Sequence, residues 1–104
     1  MAGFVQIIEF STTKVDELRK LSDDYRASRT AAGDAPVIRS TITADRDRPN
    51  TYLNIVEFSS YDDAMANSQN PATGKFAEQM MALCDGPPRF YNLDVVDVTE
   101  FAGT

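Results

Sequence analysis

Asn67 offers the clearest chemistry in this sequence, because a side-chain amide can donate hydrogen bonds to a carbonyl or enolate oxygen. It lies at the predicted end of a helical segment, just before Ser68 and the pair Asn70-Pro71, which is typical of a new helix start. Asn also ends helices well, so a purely structural role at this boundary is the alternative interpretation.

Two tyrosines and one arginine are further candidates. Tyr91 and Tyr25 could donate a proton or stack on an aromatic ligand, although a tyrosine at a core edge more often packs while its hydroxyl reaches solvent. Arg39 lies in the middle of a predicted strand, where its charge needs an anionic ligand or a carboxylate partner. A carboxylate of a second subunit would serve equally well.

Two pairs of polar residues occupy equivalent places in the two halves of the chain. Gln6 and Asn54 each precede a matching strand segment, where their amides could line a polar cavity or bond to each other or to buried water. Glu9 and Glu57 are also equivalent, and burial would raise the pKa of either carboxyl and make it a candidate general base. Capping at the strand ends, or pairing with Lys or Arg, is the alternative for both.

The composition excludes several kinds of site. The chain of 104 residues has no histidine, which removes Ser-His-Asp and Cys-His catalysis, the usual zinc sites and a histidine-ligated haem. Its one cysteine, Cys84, cannot form an internal disulfide, and we interpret it as a buried, unreactive thiol. The net charge of −6 disfavours nucleic acid or an anionic membrane as partner, and no apolar run could span a bilayer, so we expect a cytoplasmic protein.

The apolar pattern predicts one domain over residues 1–104, with four strands and two helices, the second helix in two pieces. The strands carry runs of β-forming residues bounded by turn signals, and the helices carry apolar residues every three or four positions. The predicted elements are strands at 4–10, 36–44, 51–58 and 89–99, and helices at 14–30, 61–69 and 71–83.

Capping residues predict where the helices begin and end. Thr13, followed by Asp16 three residues later, indicates the start of the first helix, and Gly33 indicates its end in a left-handed conformation. Ser59 or Ser60 supplies the cap of the second helix.

The chain also echoes itself. The segments IIEFS at 7–11 and IVEFS at 55–59 match at an offset of 48 residues, and each comes just before a helix. Together with the order βαββαβ, this match predicts a ferredoxin-like α+β fold with a four-stranded antiparallel sheet. We expect the two matching strands to be central and to run parallel to each other.

Both faces of the predicted sheet are apolar. In the first strand Phe4, Ile8 and Phe10 point to one face, whereas Val5 and Ile7 point to the other. Two helices cover only one face, and a sheet face left in water should be polar. We therefore expect a homodimer through the sheet face, which makes a dimeric α/β barrel. The alternatives are a smaller uncovered face and partial cover by the C-terminal tail.

The chain resembles the antibiotic biosynthesis monooxygenase-like group of dimeric α/β-barrel proteins. Three stretches carry the resemblance: IVEFSSYDDAMANS at 55–68, the pair Asn70-Pro71, and FAEQMMALCDGPP at 76–88. The element order extends it over nearly the whole chain. The resemblance implies the fold and the dimer, but the group's reactions vary and include cofactor-free oxygenation of aromatic polyketides, haem degradation, polyketide cyclisation and lactone isomerisation.

The resemblance also implies a pocket in each subunit, between the sheet and its helices. Asn67 and Ser68 fall near the position where the oxygenases carry pocket residues. The chain departs from those enzymes in having no tryptophan, which they usually carry close to that position, and the lack of histidine speaks against the haem-degrading reaction.

Two functional hypotheses follow. The first is a small oxygenase that acts on an aromatic or polyketide-like compound without metal, flavin or another cofactor. Its candidate catalytic residues are Asn67, Tyr91 and Arg39. Its candidate pocket residues are Tyr25, Asn54, Ser68, Phe76 and Met80, with core packing as the alternative for the last two. The second hypothesis is a non-catalytic α/β-barrel dimer that binds a small hydrophobic molecule or responds to stress. A polyketide cyclase or isomerase of the same fold is a further alternative.

Overall fold

Four strands form one sheet, and three helices accompany it. In this computed structural model, which describes residues 3–33 and 37–101, the strands are β1 (Phe4–Ser11), β2 (Val37–Ala44), β3 (Thr51–Phe58) and β4 (Arg89–Asp94). The helices are α1 (Val15–Ala31), α2 (Tyr61–Gln69) and α3 (Pro71–Leu83). The chain order confirms the predicted ferredoxin-like α+β fold, with the second helix in two pieces. None of the helices within the described ranges has the length and hydropathy that crossing a bilayer requires.

The sheet has the strand order β2-β3-β1-β4, so the two matching strands β1 and β3 are central, as predicted. They run antiparallel, however, which corrects the prediction of a parallel pair. The reason is topological: the crossover through α1 returns β2 in the direction of β1, with room for one strand between them. The hairpin after β2 then reverses the chain, and β3 enters that space in the opposite direction.

β4 is shorter than the prediction, which extended it to Thr99. The Val95 N–H donates to the Gly3 carbonyl at 3.1 Å, and β1 starts at the next residue, Phe4. In the described part of the chain, the residues after Val95 therefore have no strand to pair with. Val96 is accordingly 95% exposed. Pro36, the predicted first residue of β2, lies outside the described residues.

The start of α1 depends on Thr12 instead of the predicted Thr13. Thr12 Oγ1 accepts a hydrogen bond from the Lys14 N–H at 2.9 Å and donates one to the Leu83 carbonyl at 2.6 Å. Its side chain is fully buried, whereas Thr13 is exposed. Thr12 therefore ties the start of α1 to the end of α3.

The other predicted helix boundaries are confirmed. Gly33 follows α1 with φ of 69°, a left-handed conformation that glycine adopts without a Cβ clash. Ser60 Oγ accepts from the Asp63 N–H at 3.1 Å at the start of α2. Asn70 Oδ1 accepts from the Ala72 N–H at 2.9 Å and so caps α3.

The hydrophobic core lies between the sheet and the helices and consists of two clusters. Their buried members are Phe4, Val56, Phe58 and Ala64 in one, and Phe10, Leu18 and Met80 in the other. Ile8 packs against both. The core residues of β1 and β3 all have even numbers, so the even positions of these two strands face the helices.

The opposite face, called the open face below, carries the odd-numbered residues of β1 and β3. At its centre lie the half-buried side chains Val5, Ile7, Leu53 and Ile55. Leu93 of β4, which pairs with Val5, is 43% exposed. The predicted apolar character of both sheet faces is thus confirmed, and the helices account for the cover of only one.

Candidate functional site

Asn67 in the last turn of α2 contacts Thr73 in the first turn of α3. Thr73 Oγ1 donates to Asn67 Oδ1 across 3.4 Å. In a continuous helix, residues six positions apart would point about 120° away from each other around the axis and lie about 9 Å apart along it. The extended backbone of Asn70 (φ −71°, ψ 130°) breaks the helix and lets the two side chains meet.

Two residues of α1 complete the surroundings of Thr73. Arg29 Nη1 donates to Thr73 Oγ1 at 2.9 Å, and the Tyr25 hydroxyl lies 2.8 Å from the same oxygen. Arg29 also donates to the Tyr25 hydroxyl, and its guanidinium lies 5.4 Å from the centre of the Tyr25 ring. Asn67, Thr73, Tyr25 and Arg29 therefore form one hydrogen-bonded group, called the polar network below.

An aromatic pair lies beside the polar network. The rings of Tyr25 and Phe76 stack with their centroids 4.3 Å apart and their planes 17° from parallel. Phe76 is half-buried and packs against the core cluster that contains Met80, which is itself buried. Predicted pocket residues thus place an apolar aromatic wall next to the amide and hydroxyl groups of the network.

Polar side chains also interrupt the helix-facing side of the sheet. Gln6 Nε2 donates to Asn92 Oδ1 at 3.0 Å, and Ser40 Oγ donates to Asn54 Oδ1 at 2.7 Å. Gln6 and Asn54 occupy even positions of β1 and β3, as the core residues do. In this structure each of these two amides is bonded to a residue of the neighbouring edge strand, which gives the sheet a polar surface beneath the helices.

Arg39 and Tyr91 lie on the open face, so the structure does not bring the three predicted catalytic residues together. Arg39 Nε donates to Glu57 Oε2 at 2.6 Å, and Tyr91 donates to Glu9 Oε1 at 3.3 Å. Both carboxylates project from odd positions of β1 and β3. Side chains alternate between faces along a strand, and this alternation separates Arg39 and Tyr91 from Asn67 by the thickness of the sheet.

Other titratable side chains and Ser68 have simpler surroundings. The hydrogen bond from Arg39 lowers the pKa of the Glu57 carboxyl, opposite to the shift that a general base would need. Burial, with a smaller effect of Asp85, raises the pKa of the Cys84 thiol, as expected for an unreactive cysteine. Ser68 is exposed at the end of α2. Among residues 3–33 and 37–101, no group of three or more acidic or cysteine side chains is arranged to hold a metal ion.

Thr73 and Arg29 are site residues that sequence reasoning missed. Arg29 follows Tyr25 by four positions and continues the apolar side of α1, which indicates a buried position. Thr73 precedes Phe76 by three positions and Met80 by seven, so it shares their side of α3. This spacing indicates that both side chains lie on the buried side of a helix and need hydrogen-bond partners, because a polar residue there must be paired.

No protein-family model and no curated protein sequence matches the chain, but solved structures do. One is the monooxygenase from the gene ActVA-Orf6 of Streptomyces coelicolor in complex with nanaomycin D, with 17% identity, a TM-score of 0.75, and coverage of 97% of this chain and 94% of that chain. Another is SnoaB, a cofactor-independent oxygenase from Streptomyces nogalater, with 16% identity, a TM-score of 0.74, and coverage of 94% and 97%. A third, an antibiotic biosynthesis monooxygenase, has 10% identity, a TM-score of 0.68, and coverage of 90% and 99%.

This chain has the same fold as these three solved structures. The match covers nearly the full length of both chains in each comparison, which confirms the predicted resemblance in architecture. Identities of 10 to 17% establish the shared fold and leave the reaction to be argued from the site.

Proposed function

We propose that this protein is a cytoplasmic, cofactor-independent monooxygenase that acts on an easily deprotonated aromatic or polyketide-like molecule. The observation that carries the proposal is the polar network, which holds the Asn67 amide beside the stacked rings of Tyr25 and Phe76. The shared fold supports it, since SnoaB is a cofactor-independent oxygenase and the ActVA-Orf6 monooxygenase binds nanaomycin D.

The proposed reaction uses only the substrate and dioxygen. A substrate such as anthrone loses a proton from its central CH₂ to water and becomes an enolate. The enolate passes one electron to O₂, and the two radicals combine through a new C–O bond to give a peroxide once a proton is added. Loss of water breaks the O–O bond and leaves a C=O group. One oxygen atom thus enters the product, the other leaves as water, and the substrate carbon loses two hydrogens.

In this proposal Asn67 donates from its amide to the oxygen on which the enolate charge develops. A hydrogen bond aimed at developing charge is worth most where water is partly excluded, and Asn67 is half-buried. Tyr25, Phe76 and Met80 supply the apolar wall, and Asn54 lies in the polar surface of the sheet. Ser68 stays a predicted pocket residue at the exposed end of α2.

We also propose that a second copy of the chain covers the open face. The apolar centre of the open face would then be buried between the sheets of the two subunits, as in a domain core. Two ion pairs flank that centre. Arg39 pairs with Glu57 toward the start of β1, and Arg48 lies 3.4 Å from Glu9 toward the end of β1. Arg39 and Tyr91, predicted to be catalytic, would then belong to the subunit interface.

Oxygen uptake by the purified protein, free of metal and flavin, tests the proposed function with anthrones, hydroquinones and naphthols as substrates. We expect one O₂ consumed per anthrone converted to anthraquinone, above the non-enzymatic rate. Asn67→Ala should lower kcat about 100-fold, because it removes the donor to the developing oxyanion. Gln69→Ala removes an exposed amide two residues away and should leave kcat unchanged.

Three other results would contradict the proposed site, the proposed reaction or catalysis itself. Uptake at the wild-type rate in Asn67→Ala would keep the activity and refute the site. Isomerised or cyclised products without oxygen consumption would indicate a cyclase or isomerase. Saturable binding of these compounds with no turnover would indicate a ligand-binding dimer.

A further inference from the structure

We infer that Thr73 is a positioning residue that determines which way the Asn67 amide faces, with Arg29 and Tyr25 acting through it. The inference rests on the proposed function, in which the N–H groups of Asn67 bind the substrate oxyanion. It extends the site to residues that would act on the substrate only by orienting Asn67.

The direction of each hydrogen bond in the polar network follows from the available protons. A guanidinium has donors only, so the hydroxyl oxygens of Thr73 and Tyr25 both accept from Arg29. Thr73 has one proton to give, and it donates that proton to Asn67 Oδ1. Tyr25 must then donate its own proton to Thr73 across 2.8 Å. The Thr73 hydroxyl thus accepts two bonds and donates one, which fills its capacity.

This arrangement decides between the two orientations of the Asn67 amide. With Oδ1 held by Thr73, the amide nitrogen faces away from the network and presents two N–H donors. With the reversed amide, Thr73 would accept from Asn67 and donate to Tyr25 instead, so the Tyr25 proton would have no acceptor within the polar network. The reversed amide would also present Oδ1, an acceptor, to the substrate oxyanion and repel it.

Burial strengthens the orienting effect. Arg29 is 5% exposed, and Tyr25, Thr73 and Asn67 are all half-buried, so competition from water is reduced along the network. A charged donor at its buried end also makes stronger hydrogen bonds than a neutral one. The stack with Phe76 also holds the Tyr25 ring in place.

The test compares Thr73→Val, which keeps the shape of the side chain but removes the hydroxyl, with Thr73→Ser, which keeps the hydroxyl. Asn67→Ala and Tyr25→Phe complete the set. Besides kcat and KM for oxygen uptake, the readout is the apparent pKa of anthrone bound under anaerobic conditions, followed by the absorbance of its enolate. An N–H group of Asn67 aimed at the enolate oxygen stabilises the charged form and lowers that pKa.

We expect Thr73→Val to raise the apparent pKa of bound anthrone and to lower kcat about tenfold, because a hydrogen bond that orients a charge-stabilising donor is lost. KM should change little, since the orientation matters only when charge develops on the substrate. Thr73→Ser should restore both values. Tyr25→Phe should give a smaller shift in the same direction, because Arg29 still donates to Thr73.

The outcomes separate the inference from the proposed function. If Asn67→Ala raises the pKa of bound anthrone and Thr73→Val does not, Thr73 has no orienting role and the proposed function stands. If Asn67→Ala changes neither turnover nor that pKa, the proposed site itself is wrong. A loss in Thr73→Ser as large as in Thr73→Val would assign the effect to packing and overturn the inference. Should Thr73→Val fail to fold, a wild-type pKa in Tyr25→Phe would overturn it.

Discussion

Thr73 Oγ1 of α3 lies 3.4 Å from Asn67 Oδ1 of α2, although a continuous helix would turn these two side chains away from each other. Asn70 makes the contact possible by serving both helices. Its N–H donates to the Asn67 carbonyl at 3.1 Å, and its side chain accepts from the Ala72 N–H at 2.9 Å. The break between α2 and α3 and the candidate site are therefore a single structural feature.

Replacement of Asn70 should affect both the stability of α3 and the site. Asn70→Ala removes the side-chain cap, and we expect the free energy of unfolding in urea to fall by about 1 kcal/mol. Oxygen uptake should fall as well, because the break that brings Thr73 to Asn67 is loosened. Ser60→Ala removes the equivalent cap of α2 and is the matched control, with a similar loss of stability and unchanged turnover. Equal turnover in the two variants would contradict the link between the break and the site.

Thr12→Val should be destabilising although it keeps the size of the side chain. The Leu83 carbonyl and the Lys14 N–H would each lose their bond to the buried Thr12 hydroxyl, and we expect a loss of about 1 to 3 kcal/mol in the free energy of unfolding. Thr13→Val, at the neighbouring exposed position, should stay within about 0.5 kcal/mol of the wild type. Urea denaturation of both variants checks this, and equal losses would refute the role given to Thr12.

The open face predicts the oligomeric state. Light scattering at micromolar concentration should give twice the chain mass of 11.5 kDa. Ile55→Lys places a charge at the centre of the proposed interface, where its desolvation has no compensation, and should yield monomers. Met81→Lys is the control, because Met81 is an equally apolar side chain on α3 that is 50% exposed. A wild-type mass near 11.5 kDa would rule out the dimer.

The pair of Arg39 and Glu57 predicts a pH-dependent contribution to stability. The hydrogen bond from Arg39 lowers the pKa of the Glu57 carboxyl below its ordinary value of 4.5. The pair therefore stabilises the fold in full above that value, and the contribution is lost as the pH falls through the lower, folded-state pKa. Since the Arg39 side chain is 68% exposed, the effect is small.

Arg39→Gln should accordingly be less stable than the wild type at neutral pH, and the difference should narrow at acidic pH as the carboxyl becomes protonated in both states. Denaturant unfolding at the two pH values measures it. A difference that persists at the acidic pH would show that Arg39 acts through packing instead of charge.

The sequence predicts elements well where local signals mark their ends. The bounds of β3, α2 and α3 agree with prediction because Ser60 caps one helix, and Asn70 with Pro71 separates it from the next. The direction of β3 relative to β1 was predicted wrongly, since it depends on how the hairpin after β2 enters the sheet. The length of β4 likewise depends on where its partner β1 begins.

The residues of the candidate site, like the elements of the fold, could be predicted from the sequence only in part. Asn67 could be chosen from its place at a helix end, but its partner Thr73 required knowledge of how α2 and α3 meet. Arg29 joins them from another helix, at a sequence separation of 44 residues from Thr73. Tyr91 is a candidate by residue type and Arg39 by its charge in the middle of a strand, and only the pairing of the strands shows which face of the sheet they occupy.

The helix break also defines a signature by which similar sites can be sought in other chains. The pattern Asn-x-x-Asn-Pro-x-Thr, which spans residues 67–73 here, specifies an amide, the break and the hydroxyl that meets the amide across it. A chain of this fold that inserts one residue at this break would move the hydroxyl away from the amide and lose the contact. The spacing at this junction is therefore more informative about shared chemistry than overall identity.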